Sequence, residues 1–412
     1  MKQEVVWNSI DSFEENTQSC KSLVYRNCPV CGFSKFKNLF SLDDFQFYSD
    51  SNNLPKRANI ATVQCSRCFA NFMNPAYSDE GFQILFSEAG KSYGSSDSHQ
   101  KEQIKWIAER DLINNNTVLL DVGCYDGSFL SKFPEEIYKI GIDIDAVAIN
   151  KGIIEYSKNN FELYHGSFEE FKSPKKPTII TMHHVLEHLN NPMEVLQNLR
   201  KNSDSKTKLI VEIPVIENYI GEDINGFFSI QHQTHFTKLS LANLFTIAGW
   251  KIIEIFDLID YNGYRVLAEI TRPNEIFYEK SEIDKNHTDL YLNSYAEQIS
   301  LINLKIDSME LGNNIIIWGA GAHTEFLYQK SLFFKKNPNA KFILIDSDFE
   351  KINKSWRGIK IYSSEILNLN ELKEFPIIIS SYGSQIEIIN FIKEKIKPSY
   401  KIFTLYSETF PY

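Results

Sequence analysis

The chain has 412 residues, 43% hydrophobic and 23% charged, with a net charge of −10. That length exceeds one ordinary core, so two or three domains are expected. The acidic balance argues against a nucleic-acid partner, and no run approaches the ~18 uncharged apolar residues of a membrane helix.

The opening MKQEVVWNSIDSFEEN lacks the basic-then-apolar layout of an export leader, so a cytoplasmic protein is expected. Residues 1–20 carry little pattern and read as a tail. Residues 21–80 hold two cysteine pairs, Cys28 and Cys31 in NCPVCG and Cys65 and Cys68 in QCSRCF. Two residues between thiolates form a tight knuckle, and four such ligands complete a tetrahedral zinc site with no open position. A closed site of this kind is structural, a staple for a small β domain. The alternative is two redox or merely buried pairs. Cys20 and Cys124 read as unpaired thiols.

From 81 to 275 the strand-like runs TVLLDVG, YKIGIDID, PTIITMHH and KLIVEIP alternate with helical patterns, which predicts a parallel sheet. Residues 276–412 open with a charged helical connector over 281–312. A second alternating set follows: NNIIIWGAGAHTEF, KFILIDSD, FPIIISSYG and YKIFTLY. The fold class is therefore α/β, with two nucleotide-fold units behind a small β domain.

In TVLLDVGCYDGSFL, Gly123 and Gly127 let the chain turn sharply after a strand and approach a ligand, with a helix expected to start near Ser128. Asp121 ends the strand, where an acid is ill placed beside a pyrophosphate and suits a ligand with a positive charge. Asp143, 22 residues further on, stands where an acid accepts ribose hydroxyls. An acid at the first turn plus a ribose acid fits S-adenosylmethionine.

DVGCYDG, GIDID, HGSFEE and HHVLEH, in this order, resemble the first four motifs of class I methyltransferases. The resemblance implies that Gly123, Cys124 and Gly127 line the methionine part of the cofactor, that Asp143 holds the ribose, and that Ser167 and Phe168 lie near the adenine. With the CxxC pairs, the phrase VEIPV and the WGAGAH unit, the whole chain is similar to sugar C-methyltransferases acting on nucleotide-linked deoxy-keto sugars. That family has an amino-terminal zinc-binding domain and a Rossmann-like carboxy-terminal domain that helps to hold the nucleotide-sugar.

His184-Val-Leu-Glu187-His188 spells HxxEH, an inverted zinc-protease signature. That signature needs a continuous helix, whereas TIITM before it is a strand and the Asn-Pro after it starts a helix. The stretch therefore belongs to a loop, and the protease reading is set aside. By the methyltransferase resemblance this loop borders the transferable methyl, with His184 toward the cofactor and Glu187 and His188 toward the acceptor. A structural role for His183 or His184 is the alternative.

Methyl transfer to carbon requires removal of a proton beside a ketone, and hence a base near the acceptor. In SIQHQTHFT, His232 falls on the family's catalytic histidine, while Ser229 and Gln231 replace its tyrosine and glutamate. Either His232 still takes the proton, with His235 or Tyr219 standing in for the lost helpers, or the methyl goes to oxygen or nitrogen. Packing roles for His232 and His235 are the plain alternative, and a non-catalytic cofactor-binding subunit is a further one. In the last unit Asp346 occupies a ribose-acid position, and Ser381 and Tyr382 are candidate substrate contacts. A monomer or weak homodimer is expected.

Overall fold

The computed structural model of the protein describes residues 5–10, 18–19, 23–47, 56–78, 80–81, 97–156, 159–219, 222–258, 262–273, 282–396 and 400–407; Cys20 lies outside them. The first strands are β1 (Gln18–Ser19), β2 (Leu23–Val24), β3 (Phe36–Phe47), β4 (Lys56–Cys65), β5 (Asn71–Met73) and β6 (Ala76–Tyr77). β3 and β4 form a long antiparallel hairpin, and β5 continues the sheet on the far side of β4. Phe36 pairs with Cys65 at the open end, which puts the second cysteine pair at the hairpin's edge.

The central unit opens with α1 (Asp97–Ala108). It continues through β7 (Val118–Val122), α2 (Ser128–Ser131), β8 (Tyr138–Asp143), α3 (Ala146–Tyr156), β9 (Phe161–His165), β10 (Ile179–His183), α4 (Pro192–Lys201) and β11 (Lys208–Pro214). After β12 (Thr234–His235) come α5 (Lys238–Ala248), β13 (Trp250–Leu258) and β14 (Gly263–Ile270). Seven strands pair in the order β13-β14-β11-β10-β7-β8-β9. β7 to β11 are parallel, and the buried centres of β7, β10 and β11 suit strands covered on both faces. β14 runs antiparallel to both its neighbours, so the sheet is mixed rather than wholly parallel. β12 leaves this sheet and pairs with β5 of the amino-terminal one.

The last unit is led by the long α6 (Glu282–Asp307). β15 (Asn314–Trp318), α7 (Ala322–Lys330), α8 (Phe333–Lys336), β16 (Lys341–Asp346), β17 (Ser355–Trp356), β18 (Ile359–Ser363), β19 (Ile377–Ile379), α9 (Gln385–Lys395) and β20 (Ile402–Thr404) follow. Its six strands are ordered β17-β18-β16-β15-β19-β20, parallel except for β17.

Two features depart from the sequence reading. Residues 5–10 are not a loose tail: Asn8 exchanges backbone hydrogen bonds with Phe342 at 3.1 and 2.7 Å, and Trp7 meets the Phe375 ring edge-on at 4.8 Å. Nor is the amino-terminal β unit self-contained, because Leu42, Phe45 and Ile60 share one apolar cluster with Ile302, Ile317 and Phe326. Arg357, itself buried, ties the two units by donating to the Glu325 carboxylate (2.9 and 2.6 Å) and to the Asp44 carbonyl (2.8 Å).

Candidate active site

The two cysteine pairs sit on turns of one design. Cys28 N donates to Phe33 O and Gly32 N to Cys28 O, both at 2.9 Å; Cys65 N donates to Ala70 O at 2.9 Å and Phe69 N to Cys65 O at 3.1 Å. Each turn closes on a left-handed residue, Gly32 at φ 70° and Phe69 at φ 56°. Cys28 and Cys68 sulfurs lie 3.5 Å apart and those of Cys31 and Cys65 3.6 Å, with all four within 4.8 Å of one another. Metal–thiolate bonds of ~2.3 Å at tetrahedral corners put sulfurs roughly 3.8 Å apart. The cluster fits one four-coordinate ion.

The glycine loop is built as its spacing suggests. Gly123 has φ +78°, and a Cβ there would lie 2.2 Å from Val185 Cγ2, so a side chain is excluded both by backbone strain and by space. The N–H groups of Gly123 and Cys124 both donate to Ile142 O, at 2.8 and 3.1 Å, which holds the loop against β8. Asp143 accepts from Tyr125 N through Oδ2 (2.9 Å) and from Asp145 N through Oδ1 (2.8 Å). A carboxylate oxygen has a second lone pair, so each can still accept a ribose hydroxyl. Asp121 is buried and accepts from Thr181 Oγ1 at 2.7 Å. Burial, with Asp143 nearby, pushes its carboxyl up to about 7 against the effect of that bond. A cationic group of a ligand would bring it down again.

Three expectations around this loop need correction. α2 has only four residues, capped by Gly127 at φ 79°, so the loop leads into a single turn rather than a helix end able to hold an anion. Cys124 is 4% exposed, its residue packed in one apolar cluster with Leu119, Phe129 and Leu130. Phe168 is likewise buried in the core beside β8, while Ser167 is exposed and donates to Glu169 at 2.7 Å.

The HHVLEH stretch is a loop, with His184 in the left-handed region at φ 55°. Glu212 at the end of β11 organises one side of it. Arg265 donates to Glu212 Oε2 twice, at 2.8 and 2.6 Å, and also grips Glu102 of α1 at 3.0 and 2.6 Å. His99 bonds the same Glu212 carboxylate, and His184 Nε2 lies 3.2 Å from it. Burial alone would raise Glu212, but His184 and His99 hold it well below the usual carboxylate range. Burial opposes charge on His184, yet Glu187 (3.3 Å from Nδ1) and Glu212 hold its imidazolium, with the pKa raised to about 10.

On the other side lie Glu187, His188 and His232, whose donor atoms fall within 4.8 Å of one another. His188 Nδ1 donates to Gln231 O at 3.0 Å, and the rings of His188 and His232 are 4.9 Å apart. His232 Nδ1 is buried without a partner, and burial pulls the His232 pKa well below its ordinary value. His235 is 1% exposed, against the Phe228 ring at 4.9 Å; burial lowers it to about 3. The second candidate base is thus folded into the wall of the site.

Residues 98–255 match a family model described as a methyltransferase domain. This segment is a methyltransferase domain. No curated protein matches the chain. Solved structures similar to part of it include an S-adenosylmethionine-dependent methyltransferase from Clostridium acetobutylicum, 9% identical with TM-score 0.37, over 47% of this chain and 98% of that one. Magnesium protoporphyrin IX methyltransferase from Synechocystis with bound SAH is 14% identical, TM-score 0.37, over 47% and 100%. A SAM-dependent methyltransferase from Aquifex aeolicus is 18% identical, TM-score 0.35, over 43% and 100%.

Within the methyltransferase domain, the loop 222–237 that bears His232 is anchored by residues of the amino-terminal unit, of α6 and of the carboxy-terminal unit. Tyr291 and Tyr295 of α6 bond Phe227 N and Ile224 O, both at 2.7 Å. Tyr406 OH accepts from Ile224 N at 3.0 Å and lies 2.6 Å from His323 Nε2. Gln233 N donates to Glu187 O at 2.7 Å, and the Gln233 side chain accepts from Tyr77 N at 3.0 Å. Tyr219 is half-buried with its hydroxyl on Asp223 O at 3.4 Å. Tyr382, read as a substrate contact, is 5% exposed and stacked edge-on against Tyr406 at 4.8 Å; Ser380 takes the polar role there, 2.9 Å from His323 Nδ1. His99, Glu212, Arg265, Asp223 and His323 went unread in the sequence. The acid in VEIPV and the histidine closing WGAGAH were the available signals.

Proposed function

We propose that the chain methylates a nucleotide-linked deoxy-keto sugar at the carbon beside the ketone. Bound S-adenosylmethionine supplies an electrophilic methyl on a sulfonium; Asp121, Gly123, Gly127 and Asp143 would hold it. His232 removes the proton beside the carbonyl, and the electron pair left on carbon forms the new bond as the methyl departs from sulfur. One observation carries this reading: a buried imidazole nitrogen, His232 Nδ1, without a hydrogen-bond partner, on a loop wedged against the HHVLEH turn. The anchoring of that loop to the carboxy-terminal α/β unit through Tyr406 supports a role for that unit, a second Rossmann-like domain, in holding the sugar nucleotide. Cys28, Cys31, Cys65 and Cys68 would hold a structural zinc. A hydroxyl acceptor is the second reading, favoured by Gln231 and Ser229 at positions where carbon chemistry would use an acid and a phenol.

The test is mass spectrometry of 4-keto sugar nucleotides after incubation with S-adenosylmethionine, with NMR to locate the methyl. In deuterated water with the demethylated cofactor, the proton beside the ketone should exchange. His232→Asn should slow that exchange ~10²–10⁴-fold. Exchange at the wild-type rate in the variant, or a methyl found on oxygen, overturns the carbon reading.

A further inference from the structure

We infer that Glu187, His188 and His232 form a second metal site, for a divalent first-row transition ion, distinct from the cysteine cluster. Three observations carry it. First, Glu187 is 1% exposed; its Oε1 meets His184 Nδ1 at 3.3 Å, but its Oε2 is buried with no hydrogen-bond partner. Second, the carbonyl of Gln231 can only accept, so the bond at 3.0 Å fixes the proton of His188 on Nδ1. In the neutral ring Nε2 then carries a lone pair, directed 3.9 Å from Glu187 Oε1. A lone pair facing a carboxylate oxygen is repulsive, and a cation between the two turns the contact attractive. Third, a ring nitrogen of His232 completes the cluster, whose donor atoms all lie within 4.8 Å, and His232 Nδ1 is buried with no hydrogen-bond partner.

Ligand bonds of ~2.0–2.2 Å put neighbouring donors roughly 3.0–3.5 Å apart, so closing the cluster takes side-chain shifts of about 1–2 Å at its widest pair. The outer partners that orient ligands in metal sites are already in place. The Gln231 carbonyl sets the His188 ring, and His184, held by Glu212, sets the Glu187 carboxylate. Two imidazoles and one carboxylate select zinc, cobalt, nickel, iron or manganese over magnesium or calcium, and three protein ligands leave positions open. HxxEH thus belongs to a metal site of a different kind from the helical signature, with its third ligand 44 residues after His188. Where the methyl-transfer reading holds, an open position would take an oxygen of the acceptor. Ion and proton would then compete for the one lone pair of His232.

The probe is cobalt(II), added to full-length protein purified with its cysteine cluster loaded and followed by calorimetry and visible absorption. The expected result is uptake of about one further equivalent per chain, with weak ligand-field bands and no added thiolate charge-transfer band. Glu187→Gln and His188→Asn should each weaken that uptake at least ~10-fold, the scale for losing even an outer-shell partner. His232→Asn serves as a third variant if either of the others fails to fold. No uptake by folded wild-type protein, or uptake of unchanged affinity in the folded variants, overturns the site. Because the measurement needs neither methyl donor nor acceptor, its failure leaves the methyl-transfer reading untouched, and failure of methyl transfer leaves the metal count untouched.

Discussion

Gly123→Ala tests whether the first turn of the glycine loop is as tightly determined as its geometry implies. Holding alanine at φ +78° costs ~1–2 kcal/mol, because a Cβ in the left-handed region crowds the following carbonyl. The new Cβ would also stand 2.2 Å from Val185 Cγ2, a distance that van der Waals contacts do not tolerate, and overpacking of this kind costs ~1–3 kcal/mol. The sum is roughly 2–5 kcal/mol. Val185→Ala deletes the offending methyl and leaves Val185 Cβ at 3.4 Å, an ordinary contact. In that background Gly123→Ala should cost only the ~1–2 kcal/mol of backbone strain, giving a coupling of ~1–3 kcal/mol.

Native-state hydrogen exchange, read on peptides spanning β7 and β8, reports the local opening energy without requiring the chain to unfold in one step. Equal costs of Gly123→Ala in both backgrounds would refute the steric half of the reasoning. No cost in either would refute the loop conformation itself.

Asp143→Ala frees Tyr125 N and Asp145 N and, on the proposed cofactor placement, removes the acceptor of the ribose hydroxyls. Calorimetry should show S-adenosylmethionine binding at least ~10-fold weaker, and unchanged affinity would move the role to Asp145. Metal analysis should find about one zinc in the cysteine cluster, lost on Cys65→Ser; folded protein without zinc refutes that assignment. Burial pushes Asp223, like Asp121, up to about 7. The folded chain keeps such a proton between about pH 4 and 7 while the unfolded chain has lost it, so stability falls as pH rises through that window. Asp223→Asn removes one share, at most about 4 kcal/mol. A thermal-unfolding series with the wild-type pH slope in the variant counts against it.

What could be read in the sequence was what close spacing encodes. The CxxC knuckles, the Gly123–Gly127 turn and the acids Asp121 and Asp143 each depend on neighbours a few residues away. Apolar runs four to six residues long sufficed to place β7, β8, β10 and β11. The antiparallel pairing of β14 was not legible, because its partners β11 and β13 are chosen by the whole sheet. Side-chain direction was equally hidden. Cys124 and Phe168 lie on stretches that resemble cofactor motifs, yet their side chains turn inward. The Glu212 network joins His99, His184 and Arg265 across as many as 113 residues, and no local pattern marks such a set.

The cysteine cluster and the chemistry are less separate than a closed structural site suggests. Cys65 ends β4, and its turn leads within a few residues into β5, which pairs Phe72 with Thr234 and Asn71 with His235. Arg26, two residues before Cys28, bonds the Gln233 carbonyl, and Met73 N donates to the same oxygen at 2.9 Å. Both knuckles therefore flank the clamp on residues 233–235, immediately after His232. A slip of one residue in the β5–β12 pairing would exchange the faces of Thr234 and His235 and swing His232 away from Glu187 and His188. A metal with no open position can govern catalysis in this way, through register alone. On that argument Cys65→Ser should lower kcat far more than it weakens S-adenosylmethionine binding, since Asp143 and the Gly123 turn belong to a separate sheet. Equal losses in both quantities would mean that the cluster supports the whole fold and not this loop in particular.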